Sequence, residues 1–109
     1  MAFKSKAVQN VGTTLTQVTA TVLTDTAQTL IGFSVANVAS VNITISAKLT
    51  KADASYAFLV KDATVLPGGA IVIVGGDQKV VLEAGDSISV SSNTASSADC
   101  LLSYLVDAN

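Results

Sequence analysis

Few residues in this chain have side chains able to do chemistry, and their spacing favours structure over reaction. Four carboxylates, Asp62, Asp77, Glu83 and Asp86, fall in or near turns between residues 62 and 86. Calcium takes several oxygen ligands from loops of this kind, but no Asp-x-Asp-x-Asp run holds three on one turn. Accepting hydrogen bonds from nearby backbone N–H groups is the role expected of them. No histidine is present, so the usual base near neutral pH is missing. Serines are plentiful, yet no Gly-x-Ser-x-Gly elbow occurs. A serine–lysine pair would need a buried lysine, and Lys48 and Lys79, both within strand patterns, are expected to be solvated. One thiol and no imidazole leave no ligand set for zinc. The segment GGDQK at residues 75–79 lacks the spacing of a phosphate loop and the helix that follows one. Asn42-Ile43-Thr44 fits a glycosylation acceptor but lies within a strand pattern and is read as chance. No catalytic, cofactor-binding or metal-binding residue is expected, and the chain is not expected to be an enzyme.

Composition points the same way. Half of the 109 residues are apolar and 13% are charged, where an ordinary soluble domain has about 25% charged. Serine and threonine supply most of the remaining polarity and suit strands better than helices. So few charges leave a free monomer prone to associate, which suggests a subunit covered by its neighbours. The net charge is −2, and all six basic residues are scattered lysines, Lys4, Lys6, Lys48, Lys51, Lys61 and Lys79. Without arginine forks, a basic stripe or many aromatic rings, direct nucleic-acid binding is not expected. Cys100, the single cysteine, lies in the apolar run CLLSYLV and is expected as a buried small hydrophobe. The first residues carry lysines but no apolar segment of a secretory signal, and no stretch is long enough to cross a membrane as a helix. The protein is therefore expected to be made in a cytoplasm.

The elements that would position these residues read as strands. The densest signal is residues 67–90, PGGAIVIVGGDQKVVLEAGDSISV, where three short apolar runs each end near glycine and an acid. Such spacing suggests a β-meander or part of a sandwich. Pro67-Gly68-Gly69 predicts a turn with positive φ after the proline, and residues 83–86 predict another with Gly85 at positive φ. Residues 41–49 alternate Val41, Ile43, Ile45, Ala47 and Leu49 with polar residues, which puts the apolar set on one face. Tyr56, Phe58 and Val60 repeat the alternation after the polar turn at 50–55, so residues 41–61 predict a hairpin. Further strands are expected at 7–11, 15–23, 30–35, 71–74, 79–82, 87–91 and 100–106. Asp25-Thr26 is a turn candidate. Ile31, Phe33 and Val35 are expected on one face, with Gly32 at a bulge or a close backbone approach. The last strand is apolar on both faces, so it is expected to be central and covered twice, or covered by a partner subunit. Residues 1–6 are expected as a flexible arm. The fold class is all-β: a single antiparallel sandwich over residues 1–109, jelly-roll or immunoglobulin-like, with eight or nine short strands.

Several segments carry a resemblance. IGFSVAN at 31–37, Leu66-Pro67-Gly68-Gly69, GGDQK at 75–79, residues 81–88, the Ser/Asn/Thr loop at 91–99 and the apolar residues 101–105 resemble small virion structural proteins of tailed bacteriophages. The match covers roughly the last two thirds of the chain, and residues 1–28 contribute little. The resemblance implies a virion component, made in the host cytoplasm. On this reading it is a capsid decoration or cement subunit that contacts itself in a homo-oligomer such as a trimer, and the major capsid protein or other virion proteins. Neck, tail, baseplate or fibre-associated placement is the structural alternative, and a glycan-binding module for host attachment is a further one. It implies no catalytic residue, cofactor, nucleic-acid contact or membrane contact.

Overall fold

The computed structural model describes residues 2–19, 26–75 and 79–108 of the chain. Nine strands are described: β1 (Ala2–Val11), β2 (Thr16–Gln17), β3 (Thr26–Asn37), β4 (Ile43–Thr50), β5 (Tyr56–Val65), β6 (Ala70–Val74), β7 (Val80–Leu82), β8 (Ser87–Ser92) and β9 (Ala98–Ala108). No helix occurs among the described residues. One sheet has the order β1-β9-β3-β6, with β7 also pairing β3, and the other has the order β2-β8-β4-β5. Every pairing is antiparallel. The pairs are nested about residues 51–55: β4 with β5, β3 with β6 and β7, β2 with β8, and β1 with β9. A long hairpin rolled over two sheets in this way is a jelly roll rather than an immunoglobulin-like sandwich.

Period-two patterning explains the core. Ile43, Ile45 and Ala47 of β4, Ile88 and Val90 of β8, and Ala98, Cys100 and Leu102 of β9 all point inward and are buried. Leu30, Phe33 and Val35 of β3, in the same sheet as β9, join them and face β4 and β8 of the other sheet. The stretch at 67–90 is part of this sandwich but not a meander, because β6 and β7 pair with β3 while β8 lies in the other sheet. Its two predicted turns form. Gly69 N–H donates to Leu66 O at 2.9 Å with Gly68 at φ 74°, and Asp86 N–H donates to Glu83 O at 3.0 Å with Gly85 at φ 88°. The GGD turn falls largely outside the described residues.

Register shifts account for most departures from simple alternation. β3 slips against β9 between Leu30 and Gly32, so Leu30 and Phe33 both face the core and Ile31 is only half-buried. Gly32 thus marks a bulge, as expected, but Ile31 does not share the face of Phe33. β5 slips twice against β4, between the pairings of Ile45 and Ala47 and again before Lys48. Val60 therefore faces inward, while Tyr56 and Phe58 face out at 59% and 42% exposure. Val41 is exposed and precedes β4 instead of belonging to it. The strand expected at 15–23 is described as far as Thr19, and of it residues 16 and 17 pair with β8; its remainder and Asp25 lie outside the described residues. Residues 2–6 are not an arm. They form the first half of β1, paired with β9 from Ala2↔Val106 onward.

Asn37 holds two crossings between the sheets. Its carboxamide donates to Val41 O at 2.8 Å and Val65 O at 2.9 Å and accepts from Ala39 N–H at 2.8 Å. Its backbone N–H donates to Gly69 O, and its carbonyl accepts from Gly68 N–H. The side chain is 2% exposed, so each lost partner would leave a buried polar group unpaired. Asn37→Ala is expected to lower stability by about 3 kcal/mol, with an unchanged urea m-value; a loss under about 1 kcal/mol would show that the loops bond to water instead.

Candidate interaction surface

The carboxylates singled out above separate into different settings. Lys51, in the β4–β5 turn, reaches across to the β7–β8 turn and pairs with Glu83 at 2.9 Å and Asp86 at 2.7 Å. Asp86 is buried, accepts Glu83 N–H at 2.8 Å through the same Oδ2, and has its Oδ1 buried without a hydrogen-bond partner. Asp62 lies apart on the bulge of β5, where its N–H donates to Ser46 Oγ at 2.9 Å. Asp77 lies outside the described residues. Among the described residues no group of three His, Cys, Asp or Glu side chains stands close enough to hold a metal ion. Asp86 thus anchors its turn, the role its spacing suggested, and with Glu83 ties that turn to Lys51.

Lys51 and Asp86 bring two turns into contact, and Gly85 makes that contact possible. A Cβ at Gly85 would stand 2.4 Å from Ala52 Cβ and 3.1 Å from Ala52 Cα. The glycine is therefore required both by its left-handed backbone and by the neighbouring turn. Within that neighbouring turn, the Ser55 hydroxyl and N–H both donate to Asp53 Oδ1, at 2.5 and 2.9 Å, and hold this carboxyl below its ordinary pKa. The groove between the turns is lined by Lys51, Asp53, Ser55, Glu83 and Asp86, whose charges already satisfy one another in part. A second cavity, of about 80 Å³, opens beside Lys6 between Leu30, Leu82, Leu102 and Tyr104. Drug-sized ligands and cofactors occupy pockets from about 300 Å³ upward, so it is too small for them.

The larger features are the outer faces of the sheets. On the sheet containing β9, Leu101, Ser103 and Leu105 point away from the core. They stand beside Ala7, Ser5 and Phe3 of β1 and Ser34, Gly32 and Thr29 of β3. Val72 and Val81 continue this face next to Ser34 and Thr29. None of these residues is charged. Phe3 is 76% exposed, Val72 69%, Val81 60% and Leu101 53%. The both-faces-apolar pattern of β9 is thus resolved: the strand is central in its sheet, its inner side is buried in the core, and its outer side is partly exposed, with no second sheet over it among the described residues. Several large apolar side chains exposed on one sheet face mark a candidate contact region.

The other sheet is different. Its outer face is mainly serine and threonine, with Tyr56 and Phe58 on the edge strand β5. Their rings meet edge to face, with centroids 5.8 Å apart. Lys48 Nζ lies 4.5 Å from the Tyr56 centroid and Lys61 Nζ 4.9 Å from that of Phe58. Sequence reasoning missed this cluster because the bulges of β5 decide which way the two rings face.

Cys100 is buried in β9, and burial, followed by the nearby Asp99 charge, pushes its thiol up to about 12. Lys51 is held above its ordinary value of 10.5 by hydrogen bonds to Asp86 and then Glu83. From about pH 9 an unfolded thiol ionises while the folded one keeps its proton, which favours the unfolded state. The Lys51 contribution is complete below 10.5 and disappears as pH rises through its folded value. Two outcomes are expected. The urea midpoint falls above pH 9, and Cys100→Ala removes the part of the slope between pH 9 and 10; an identical slope in the variant would remove the thiol from the account. Gly85→Val costs about 3 kcal/mol, and Ala52→Gly in the same chain recovers part of it, as measured by thermal unfolding. A cost near zero would mean that the two turns move apart freely.

Compared with known protein families and curated proteins, the chain matches none.

Proposed function

We propose that this chain is a non-catalytic structural subunit of a tailed-bacteriophage virion, a decoration or cement protein of the capsid that binds copies of itself and the major capsid protein. The observation that carries the assembly part of this reading is the outer face of the β9 sheet, bordered by Asp99 at one end, with Phe3, Val72, Val81 and Leu101 exposed on it. Burial of apolar area contributes roughly 25 cal/mol per Å², and a standard interface removes about 1,600 Å² from water before association costs are subtracted. A face of this kind therefore suits stable subunit contact better than it suits a small ligand. The virion part rests on the resemblance of the segments between residues 31 and 105. Placement at the neck, tail or baseplate is the structural alternative.

A glycan-binding reading is favoured by one feature, the exposed Tyr56–Phe58 pair, since aromatic rings on a sheet face are common platforms for sugars. The lysines over both rings occupy part of that platform, which makes it the second reading.

Counting copies in purified particles separates the structural placements. Hundreds of copies over the shell support the capsid reading, and six or twelve at one vertex overturn it. Leu101→Lys, at an exposed position, is expected to leave the melting temperature within about 2 °C and to reduce incorporation into particles at least tenfold. Unchanged incorporation would remove the outer face of β9 as the contact. A glycan-array signal abolished by Tyr56→Ala would favour the binding module instead.

A further inference from the structure

The sheet edges of this protein are not equally open. Among the described residues the edges are β1, β2, β5 and the β6–β7 side. β2 has two residues, β6 five and β7 three. β5 has ten, but its register against β4 shifts twice, and Asp62 sits at φ 51° with its N–H turned back onto Ser46. Bulges and short lengths are the usual means of closing an edge to intruding strands. β1 lacks them over most of its length. Its register with β9 is unbroken from Ala2↔Val106 to Val8↔Cys100, and shifts only near Asn10, which lies at φ 61°. Residues 3–7 are all exposed, and no described strand pairs with their outer side. Seven residues at about 3.4 Å each give a straight edge of about 24 Å, along which alternate residues turn unpaired N–H and C=O groups outward.

Charge distinguishes this edge as well. Lys51 pairs with Glu83 and Asp86, Lys61 lies near Asp62 and Phe58, Lys48 lies over Tyr56, and Lys79 is also engaged. Among the described residues Lys4 and Lys6 have no such partner. They stand two residues apart on one side of β1, opposite Tyr104 and Leu102 of β9, and neither of those can neutralise an ammonium group. Phe3, Ser5 and Ala7 occupy the other side.

We propose that the β1 edge is a strand-addition site for an extended segment of another protein in which carboxylates alternate with apolar residues. The backbone of that segment continues the sheet beyond β1. Its carboxylates lie opposite Lys4 and Lys6, and its apolar side chains extend the row begun by Phe3 and Ala7. A second copy of this chain is the wrong occupant. Antiparallel self-pairing centred on Ser5 sets Lys4 opposite Lys6 twice, centring on either lysine sets it opposite itself, and parallel pairing in register sets each lysine beside its equivalent. Like charges opposed across neighbouring strands repel, so the lysines that keep the edge from pairing with itself also select an acidic partner. Register and charge at one edge carry this assignment, independently of the virion reading.

The test uses the full-length protein and two synthetic heptapeptides, one alternating valine with glutamate and one alternating valine with lysine. Amide resonances and hydrogen exchange are followed by NMR at low salt. The glutamate peptide is expected to slow exchange of the outward amides among residues 3–7 at least tenfold and to weaken severalfold as salt is raised, while the lysine peptide has no effect. The exposed double substitution Lys4→Glu, Lys6→Glu is expected to reverse that preference, with the far-UV spectrum unchanged. Equal responses to both peptides, protection confined to β5, or protection of residues 3–7 by concentrated protein without peptide would each overturn the proposal. The last of these results would assign the edge to a second copy.

Discussion

The carboxamide of Asn37 joins the two places where the chain leaves one sheet for the other next to each other in space. One crossing runs from β3 to β4 and the other from β5 to β6. Asn37 is buried between them and supplies donors for Val41 O and Val65 O together. A residue with one donor would satisfy one crossing and leave the other unpaired. An aspartate would offer no donor at all. The core that includes Phe33, Ile43 and Ile45 lies between the two sheets that these crossings join. Gly68 and Gly69 complete the arrangement because their turn must bond back to the same residue.

The opposite end of the molecule is held by a different kind of contact. There Lys51, Glu83 and Asp86 link the β4–β5 turn to the β7–β8 turn, and the absence of a side chain at Gly85 lets Ala52 approach. Asp86 is buried and depends on Lys51 and the Glu83 N–H for its compensation, since breaking such a pair leaves a buried charge without a partner. Two of the four acids singled out in the sequence, Glu83 and Asp86, thus serve as fasteners. Outside those turns lie three flat surfaces: the outer face around β9, the straight edge at β1, and the aromatic pair on β5.

How much of this could be read beforehand depends on how local each feature is. The alternation in residues 43–49, the Pro67-Gly68 turn and the positive φ of Gly85 are set by neighbours a few residues away, and all three were legible. The outer face of β9 was legible in part, because Leu101, Ser103 and Leu105 share a parity, although parity alone does not say which side meets the core. Bulges were not legible. A bulge is a mismatch between two strands, so Ile31 and the rings of Tyr56 and Phe58 could be placed only once their partners were known. Residues 2–6 read as an arm because AFKSK alternates lysine with small or apolar residues and has no core face of its own. Strand β9 makes it a strand. Asn37 ends an apolar run with nothing local to mark it; its reach to Val65 is a long-range fact.

The nested pairing about residues 51–55 also bears on how the chain can find its fold. Joining β1 to β9 first would close a loop of roughly 90 residues and fix little else, at an entropic cost that nothing nearby offsets. Taken outward from the β4–β5 hairpin, each pairing instead brings the next two strands close, so every later closure spans only the short connections between sheets. Folding need not wait for one improbable encounter between distant segments, even though most of the final pairings join residues far apart in sequence. The rolled hairpin is a route as well as an architecture.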